Sequence, residues 1–414
     1  LDNDPRLIVF YSALGSFQGT SFDGYFSPYN QVTEAQAQQM NPPGHSNECE
    51  MIYMTCSPLS PVAPIRLSVL AHELQHLIHW GQDANEETWL NEGCAELAMV
   101  AYGIPDPISG FPSAPDNNLT AWNQTFADYV KVMLFFTYLQ EHYDDTGLIS
   151  ALVADPVNGV NSLSQLALDH YPQTGFEGIF RNWNIANIID ADPPQNPLWG
   201  YAQLDLPNFS MTNLSPAPNL VNQNIQAYSA DYLKLISLAA GERQVTISTD
   251  NPVYLSVAKF SLSGVCLGVD SLGFGTQFEV ITPLSSEAAN IVFVLSNPSA
   301  LAISYSVNGS VYADDPSSPC VVTALRGNQP NPFVSATSIS YSVRESGSVR
   351  LEIYNSRGQK IRGLVNSSLI AGTHKVDWDG LDEAGNPVGD GVYIVRLRSG
   401  NDSKSIRVLK LANR

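Results

Sequence analysis

The segment A-H-E-L-Q-H-L-I-H-W, which starts at Ala71, constrains this chain more than any other feature. It lies in residues 66–80, where apolar residues recur every three or four positions and no proline interrupts, so the sequence predicts a helix. On a helix, His72 and His76 share one face and lie one turn apart. Imidazoles so placed suit adjacent corners of a tetrahedral zinc site. Glu73 lies beside them, within reach of a water in the open position of such a site.

A second motif, W-L-N-E-G-C-A-E, follows at residues 89–96. It opens a second predicted helix, which would bring Glu92 to the third protein position of the zinc if it packs antiparallel to the first. Glu96 shares the face of Glu92 and is placed to accept a hydrogen bond from a ligand histidine, which would fix the tautomer of that ring. We interpret His79 as a histidine at the rim of the site and not as a fourth ligand.

Taken together, HELQH and WLNEGCAE resemble the gluzincin metallopeptidases, and most closely the hyicolysin-like bacterial family, whose pattern reads HExQH-L-I and then WLNEG-x-x-E. The upstream segment SNECEMIYM also resembles a strand of that family, and the likeness covers most of residues 1–190. The resemblance implies a zincin-type α+β domain that hydrolyses peptide bonds. It also implies one catalytic zinc ion held by His72, His76 and Glu92, with Glu73 as the general base.

Two further residues are nominated by resemblance. Glu96 matches the second acid of thermolysin-like relatives, in which that acid is Asp. The stretch Y-V-K-V-M-L-F-F resembles the Y-x-K-G helix of the aminopeptidase N family, which nominates Tyr129 to stabilise the oxyanion of the tetrahedral intermediate. In this chain Val132 replaces the glycine of that pattern, and the alternative is that Tyr129 is a packing residue at a helix end.

Three functions compete at this stage. The leading prediction is a secreted zinc endopeptidase that acts on proteins or peptides. An aminopeptidase of the same clan is the second; its G-x-M-E-N strand motif is absent, although N-E-C-E at residues 47–50 occupies a comparable place. The third is a surface adhesin built on an inactive peptidase scaffold, which the intact Glu73 and the three ligands argue against.

The charge distribution predicts a module boundary near residue 320. Seven Lys or Arg accompany 32 Asp or Glu before that residue, whereas thirteen accompany eight after it. We expect a multidomain fold: an α+β zincin-type peptidase domain at 1–208, a β-sandwich domain of unknown role at 209–318, and an Ig-like domain at 319–414. A stretch rich in proline and asparagine, at 192–218, is interpreted as a linker.

The end of the chain carries three motifs: Q-P-N-P-F from residue 329, W-D-G-L-D from residue 378 and G-V-Y-I-V-R-L from residue 391. Together they resemble the Ig-like C-terminal domain of flagellar hook-capping proteins and of type IX secretion sorting domains. The resemblance implies export from a bacterium, and contact with secretion machinery or the cell surface. Asp377, Asp379 and Asp382 suggest calcium but are predicted to shape a turn, so no clear calcium motif is present.

Several classes are disfavoured by composition. The formal net charge of −20 argues against nucleic acid as a partner. No apolar run approaches the roughly 18 residues that span a bilayer. The first residues lack a signal peptide, so we expect a mature or trimmed form. The five cysteines are not spaced as a zinc ribbon, and Cys266 with Cys320 is one candidate disulfide.

Overall fold

The computed structural model describes residues 6–14, 16–17, 20–21, 23–190, 198–215, 217–236, 243–261, 263–282, 290–311, 323–344, 347–369, 372–400 and 402–411. The chain forms two compact units, Leu1–Val311 and Tyr312–Arg414. No helix among the described residues is long and apolar enough to cross a membrane. Cys320, one half of the candidate disulfide, lies outside the described residues.

The first unit opens with short strands and continues into helices. The strands are β1 (Ile8–Ser12), β2 (Ser16–Phe17), β3 (Thr20–Ser21), β4 (Gly24–Phe26) and β5 (Met51–Thr55). The helices of the described residues are α1 (Glu34–Ala37), α2 (Pro64–Gln82), α3 (Thr88–Tyr102), α4 (Phe126–Tyr143), α5 (Leu148–Ala154), α6 (Gly159–His170) and α7 (Gly175–Ile189). Short 3-10 turns span Pro28–Gln31 and Phe111–Ser113.

A three-stranded sheet lies against α2 in the order β1-β5-β4. β1 runs parallel to β5, whereas β4 runs antiparallel to it. Gly24 allows the close approach of β4 to the helix, because a Cβ on this residue would lie 2.7 Å from Sδ of Met54 and 3.2 Å from Cγ of Glu73. The absence of a side chain at Gly24 therefore sets how near the edge strand lies to the predicted catalytic glutamate.

The central helix α4 is surrounded by the other helices and is buried along most of its length. Asp128 caps its start by accepting a hydrogen bond at 2.9 Å from the backbone N–H of Thr125. Lys131 is fully buried, and its ammonium donates to Asp128 at 2.7 Å, to Asn117 Oδ1 at 3.0 Å and to the carbonyl of Ala121 at 2.6 Å. A buried charge with three acceptors is satisfied, so Lys131 anchors the loop before α4.

A seven-stranded sheet follows in the same unit. Its strands are β6 (Thr212–Leu214), β7 (Asn219–Ile225), β8 (Ser229–Ile236), β9 (Arg243–Phe260), β10 (Cys266–Thr282), β11 (Asn290–Asn297) and β12 (Ile303–Val311). The order is β6-β8-β11-β9-β12-β7, and β10 also pairs with β9. The first half of β9 pairs with β12 and the second half with β11, yet Ile247 and Leu255 from the two halves share one apolar cluster. The sheet therefore bends around a core of its own.

This sheet also packs on the helices. Ile291, Phe293 and Leu295 of β11 point into the core of the sheet, whereas Val292 and Val294 join the apolar core formed by the helices. A strand that is buried on both faces has a continuous run of apolar residues in its sequence, as the segment N-I-V-F-V-L-S of β11 shows. The helical region and the sheet thus share a core within one compact unit. The predicted domain boundaries after residues 208 and 318 stay predictions.

The prediction of a linker at 192–218 is wrong for its described residues. Trp199 and Tyr201 pack against the helical core, and Phe209 is buried in it. The Tyr138 hydroxyl donates to the carbonyl of Leu198 at 3.0 Å. Residues 191–197 and 216 lie outside the described residues. The polar composition of the stretch reflects turns that cross the core surface, which resemble a linker in sequence.

The second unit is an Ig-like sandwich. Its strands are β13 (Ala324–Gln329), β14 (Thr337–Val343), β15 (Gly347–Asn355), β16 (Lys360–Leu369), β17 (Gly372–Trp378), β18 (Gly391–Ser399) and β19 (Asp402–Lys410). They form sheets ordered β13-β14-β17 and β16-β15-β18-β19. Phe333 and Trp378 are buried between them, with ring centroids 5.2 Å apart. Asp382 Oδ1 accepts from the N–H groups of Ala384 at 2.9 Å and Asn386 at 2.8 Å, so this aspartate does shape a turn.

Candidate metal centre

Helices α2 and α3 pack together and bring three predicted ligands to one point. Nε2 of His72 and Nε2 of His76 lie 3.1 Å apart. Glu92 Oε2 lies 3.3 Å from the first and 3.5 Å from the second. Among the described residues, these three are the set of histidine, cysteine and acidic side chains whose ligand atoms lie close enough together to hold a metal ion.

The spacing of these atoms fits zinc. A tetrahedron with zinc–ligand bonds of about 2.0–2.2 Å has edges of roughly 3.3 Å, which is the scale of all three separations. Glu92 Oε2 is buried and makes no hydrogen bond within the described residues, although two imidazoles lie beside it. Two imidazoles and one carboxylate gathered in this way match the kind of donor set that Zn²⁺ takes in proteins.

Both histidines have an oxygen at the opposite side of the ring. Nδ1 of His76 contacts Oδ1 of Asn91, and because an amide oxygen only accepts, Nδ1 carries the proton. Nδ1 of His72 lies 3.2 Å from Oε1 of Glu96, close but not aligned for a hydrogen bond. Glu96 is 1% exposed. Asn91, which the sequence reasoning missed, thus leaves the lone pair of His76 on Nε2, whereas the predicted role of Glu96 in fixing the His72 tautomer stays a prediction.

Glu73 is held by main chain. Its Oε2 accepts a hydrogen bond at 2.7 Å from the backbone N–H of Phe26, in the edge strand β4. Glu73 is 7% exposed, and burial raises the pKa of its carboxyl, while the neighbouring His72 and His76 oppose that rise. A carboxylate of raised basicity beside the ligands is suited to accept a proton. No side-chain pattern in the sequence reveals a backbone donor of this kind.

The three carboxylates around the centre differ in basicity. Burial would raise the pKa of Glu92, but the adjacent His72 and His76 lower it to about 2. Burial raises the pKa of Glu96. Glu92 is therefore an anionic donor at neutral pH. Asp106 also lies in this field: burial raises its pKa, while His72 lowers it, so the acidic surroundings of the site extend beyond the two motifs.

Tyr129 lies within the electrostatic field of the centre. Burial, together with the charges of Glu92 and Glu96, raises the pKa of its hydroxyl, which therefore stays protonated at neutral pH. The ring of Trp122 meets the Tyr129 ring edge-on at 4.8 Å. A protonated phenol in this position can donate a hydrogen bond, and its role in stabilising an oxyanion remains a prediction.

The interpretation of His79 as a rim residue is wrong. His79 is fully buried, and neither ring nitrogen has a hydrogen-bond partner among the described residues. Burial lowers the pKa of its imidazole, so the ring is neutral. His79 lies three residues after His76, on a face of α2 that packs inside the unit. The sequence alone did not distinguish this face from the face that carries His72 and His76.

The family model described as the FlgD Ig-like domain matches residues 333–403. The search of curated proteins found no match. Solved structures give partial likenesses. PorZ, a surface component of the type IX secretion system of Porphyromonas gingivalis, is 12% identical over 37% of this chain and 32% of its own, with a TM-score of 0.17. Latent PorU of the same organism is 14% identical over 49% and 19%, with a TM-score of 0.23.

A β-1,2-glucanase from Parabacteroides distasonis is 9% identical over 45% of this chain and 30% of its own, with a TM-score of 0.16. The matched parts are thus a third or less of these three proteins. Scores this low say nothing about function. The family match therefore carries the assignment of the second unit, and it agrees with the predicted resemblance of the C-terminal motifs to a hook-capping Ig-like domain.

Proposed function

We propose that this protein is a zinc-dependent endopeptidase. The convergence of His72, His76 and Glu92 on one point supports the proposal, because their atoms match the edges of a zinc tetrahedron. Glu73 follows His72 in the sequence, and burial raises the pKa of its carboxyl beside the predicted ligands. A structural zinc site has no use for such a carboxylate, whereas hydrolysis needs a base.

The residues divide the work as follows. His72, His76 and Glu92 would hold the ion, which would supply polarisation of a carbonyl oxygen and a water of lowered pKa, about 7. Glu73 accepts a proton from the attacking water and delivers it to the leaving amine. Its bond to the Phe26 N–H fixes one oxygen, so the other oxygen is the one that takes the proton. Tyr129 donates a hydrogen bond to the developing oxyanion.

We further propose that the protein is secreted by a bacterium and that the Ig-like unit contacts secretion machinery or the cell surface. The match of residues 333–403 to an Ig-like family supports the presence of a separate module for such a contact. The proposal also includes proteins or peptides as the substrates.

The test compares wild type with Glu73→Gln and His72→Ala, and uses His45→Ala as the matched control, because the His45 side chain is 89% exposed. We expect wild type and Glu73→Gln to hold one zinc ion per chain, and only wild type and the control to cleave casein. His72→Ala should lose both zinc and activity. Zinc binding without cleavage of casein or of a diverse peptide library by wild type would refute the catalytic proposal.

Peptides with a blocked amino terminus separate the two peptidase types. An endopeptidase cleaves them, and an aminopeptidase cleaves only the unblocked forms. Activity confined to free amino termini would overturn the endopeptidase assignment and retain Glu73 as the base.

A further inference from the structure

A cluster of oxygen-bearing side chains lies where α2 ends and where α3 and α6 begin. Asp83 Oδ1 accepts from the N–H of Asn85 at 3.3 Å, and Asn158 Nδ2 donates to the carbonyl of Asn85 at 2.6 Å. Glu86 Oε1 accepts from the N–H of Gly159 at 2.8 Å. These bonds join the loop after α2 to the start of α6, although the two are more than 70 residues apart in sequence.

Three oxygens of this cluster are buried and have no hydrogen-bond partner among the described residues: Asp83 Oδ2, Glu86 Oε2 and Asn158 Oδ1. Asp83 is 6% exposed, so water has little access to its carboxylate. All three atoms are acceptors. A buried acceptor without a partner is unfavourable, so three of them at one junction form an arrangement that calls for a ligand.

The cluster is also negatively charged without compensation. Burial raises the pKa of Glu86, and the negative charge of Asp83 adds to that rise, although the N–H groups of Glu87 and Gly159 oppose it. The Glu87 carboxylate adds to this charge, since its Cδ lies 2.2 Å from where a Cβ on Gly159 would be. Within the described part of the chain, no lysine or arginine forms an ion pair with any of these acids.

A ligand that meets several oxygen acceptors and neutralises them is a hard divalent cation. Ca²⁺ takes six to eight oxygens from carboxylates, amide and backbone carbonyls and water, with flexible geometry. Zn²⁺ prefers nitrogen and sulfur donors, which the three orphan atoms do not supply. A water molecule would satisfy hydrogen bonds but would leave the negative charge in place.

We propose that Asp83, Glu86 and Asn158 form a calcium site that fastens the end of α2 to the start of α6. Water completes the coordination. The site is separate from the zinc centre, because its donors are oxygens only and it begins seven residues after His76. Calcium here would stiffen the turn between the two helices that carry all three zinc ligands.

The test titrates CaCl₂ alone into the full chain at fixed zinc and follows thermal unfolding. We expect a saturable rise in Tm of roughly 5 °C when calcium exceeds its Kd about 100-fold. Tb³⁺ serves as a second probe, because Trp89 donates its Nε1–H to Glu87 at 2.7 Å and lies near enough to sensitise terbium emission. Calcium should quench that emission by displacement.

Asp83→Asn and Glu86→Gln should each weaken calcium binding at least tenfold. Asp382→Asn is the matched control, since it alters the acidic turn of the Ig-like unit, and it should leave the titration unchanged. A wild type whose Tm and terbium emission do not respond would overturn the site, as would an undiminished response in both variants. If neither variant folds, wild type alone decides. Sensitised terbium emission that is lost when calcium displaces the terbium supports the site, and no sensitised emission refutes it.

Discussion

The Phe136 ring occupies the space that a side chain on Gly93 would need. A Cβ on Gly93 would lie 2.2 Å from Cδ2 of Phe136, far inside van der Waals contact. Gly93 follows the predicted ligand Glu92 in α3, and Phe136 belongs to the central helix α4. The glycine of the W-L-N-E-G motif therefore sets the distance between these helices, and with it the position of the predicted zinc ligand Glu92.

Gly93→Ala should destabilise the protein and weaken zinc binding, because α3 must move away from α4. We expect a loss of about 1–3 kcal/mol in the free energy of unfolding, as for other overpacked cores. Gly81→Ala is the control: it lies in α2 with no atom within 4 Å of its Cβ position, and should stabilise by up to about 1 kcal/mol. Urea melts and zinc titrations of both variants check this. Equal stability of wild type and Gly93→Ala would contradict the steric argument.

Asn91→Ala should lower zinc affinity about 10- to 100-fold while the fold persists, because His76 loses the partner that holds its proton on Nδ1. Competition with a chromogenic chelator measures the affinity. Asn366→Ala, in the second unit, is the control and should bind zinc as wild type does. An unchanged affinity in Asn91→Ala would show that the contact with His76 has no part in orienting the ring.

Lys131→Met should cost about 3–5 kcal/mol in the free energy of unfolding, since it leaves Asp128 buried and unpaired. The exposed pair of Lys259 and Asp270, 2.6 Å apart, provides the comparison. Lys259→Met should cost less than about 1 kcal/mol. Chemical denaturation at neutral pH measures both changes, and similar losses in the two variants would refute the distinction.

Asp231 should make stability depend on pH. Burial raises the pKa of its carboxyl to about 6, above the ordinary value of 3.8, although the Tyr305 hydroxyl donates to it at 2.8 Å. Because the folded state holds this proton more tightly, the contribution is fully present below pH 3.8 and is lost as pH rises through about 6.

Asp231→Asn should therefore match wild type near pH 4 and exceed it by up to about 2 kcal/mol at pH 8. Denaturation curves between pH 4 and 8 test this. Asp270→Asn, at an exposed site, serves as control and should not alter the slope. A variant that is less stable than wild type at pH 8 would contradict the direction of the pKa shift.

The sequence predicted the parts of the fold and site that depend on local patterns. Apolar residues recur every three or four positions at 66–80, 91–102, 128–143 and 162–170, and this spacing predicts four helices. They are confirmed as α2, α3, α4 and α6, with ends shifted by a few residues. Helix α7 was missed, because Asn182, Asn184 and Asn187 interrupt its apolar period. They are nevertheless buried: Asn182, for example, donates to the Tyr143 hydroxyl at 2.9 Å.

Contacts made by main chain or by residues distant in sequence were not predictable. The bond from the Phe26 N–H to Glu73 has no side-chain signature, and it depends on how β4 pairs with β5. The packing of Tyr201 was hidden because turns over a core and free linkers share a polar composition. The spacing of histidines within one helix, by contrast, is fixed by helix geometry alone.

The two buried faces of strand β11 limit how the chain can be divided into pieces that fold alone. One face packs in the core of the sheet, and Val292 and Val294 on the other face belong to the core of the helices. A fragment with the helices alone would lack these two valines, so we expect it to expose part of its core. The described core of the Ig-like unit consists of residues of that unit, so we expect this unit to fold when it is produced separately.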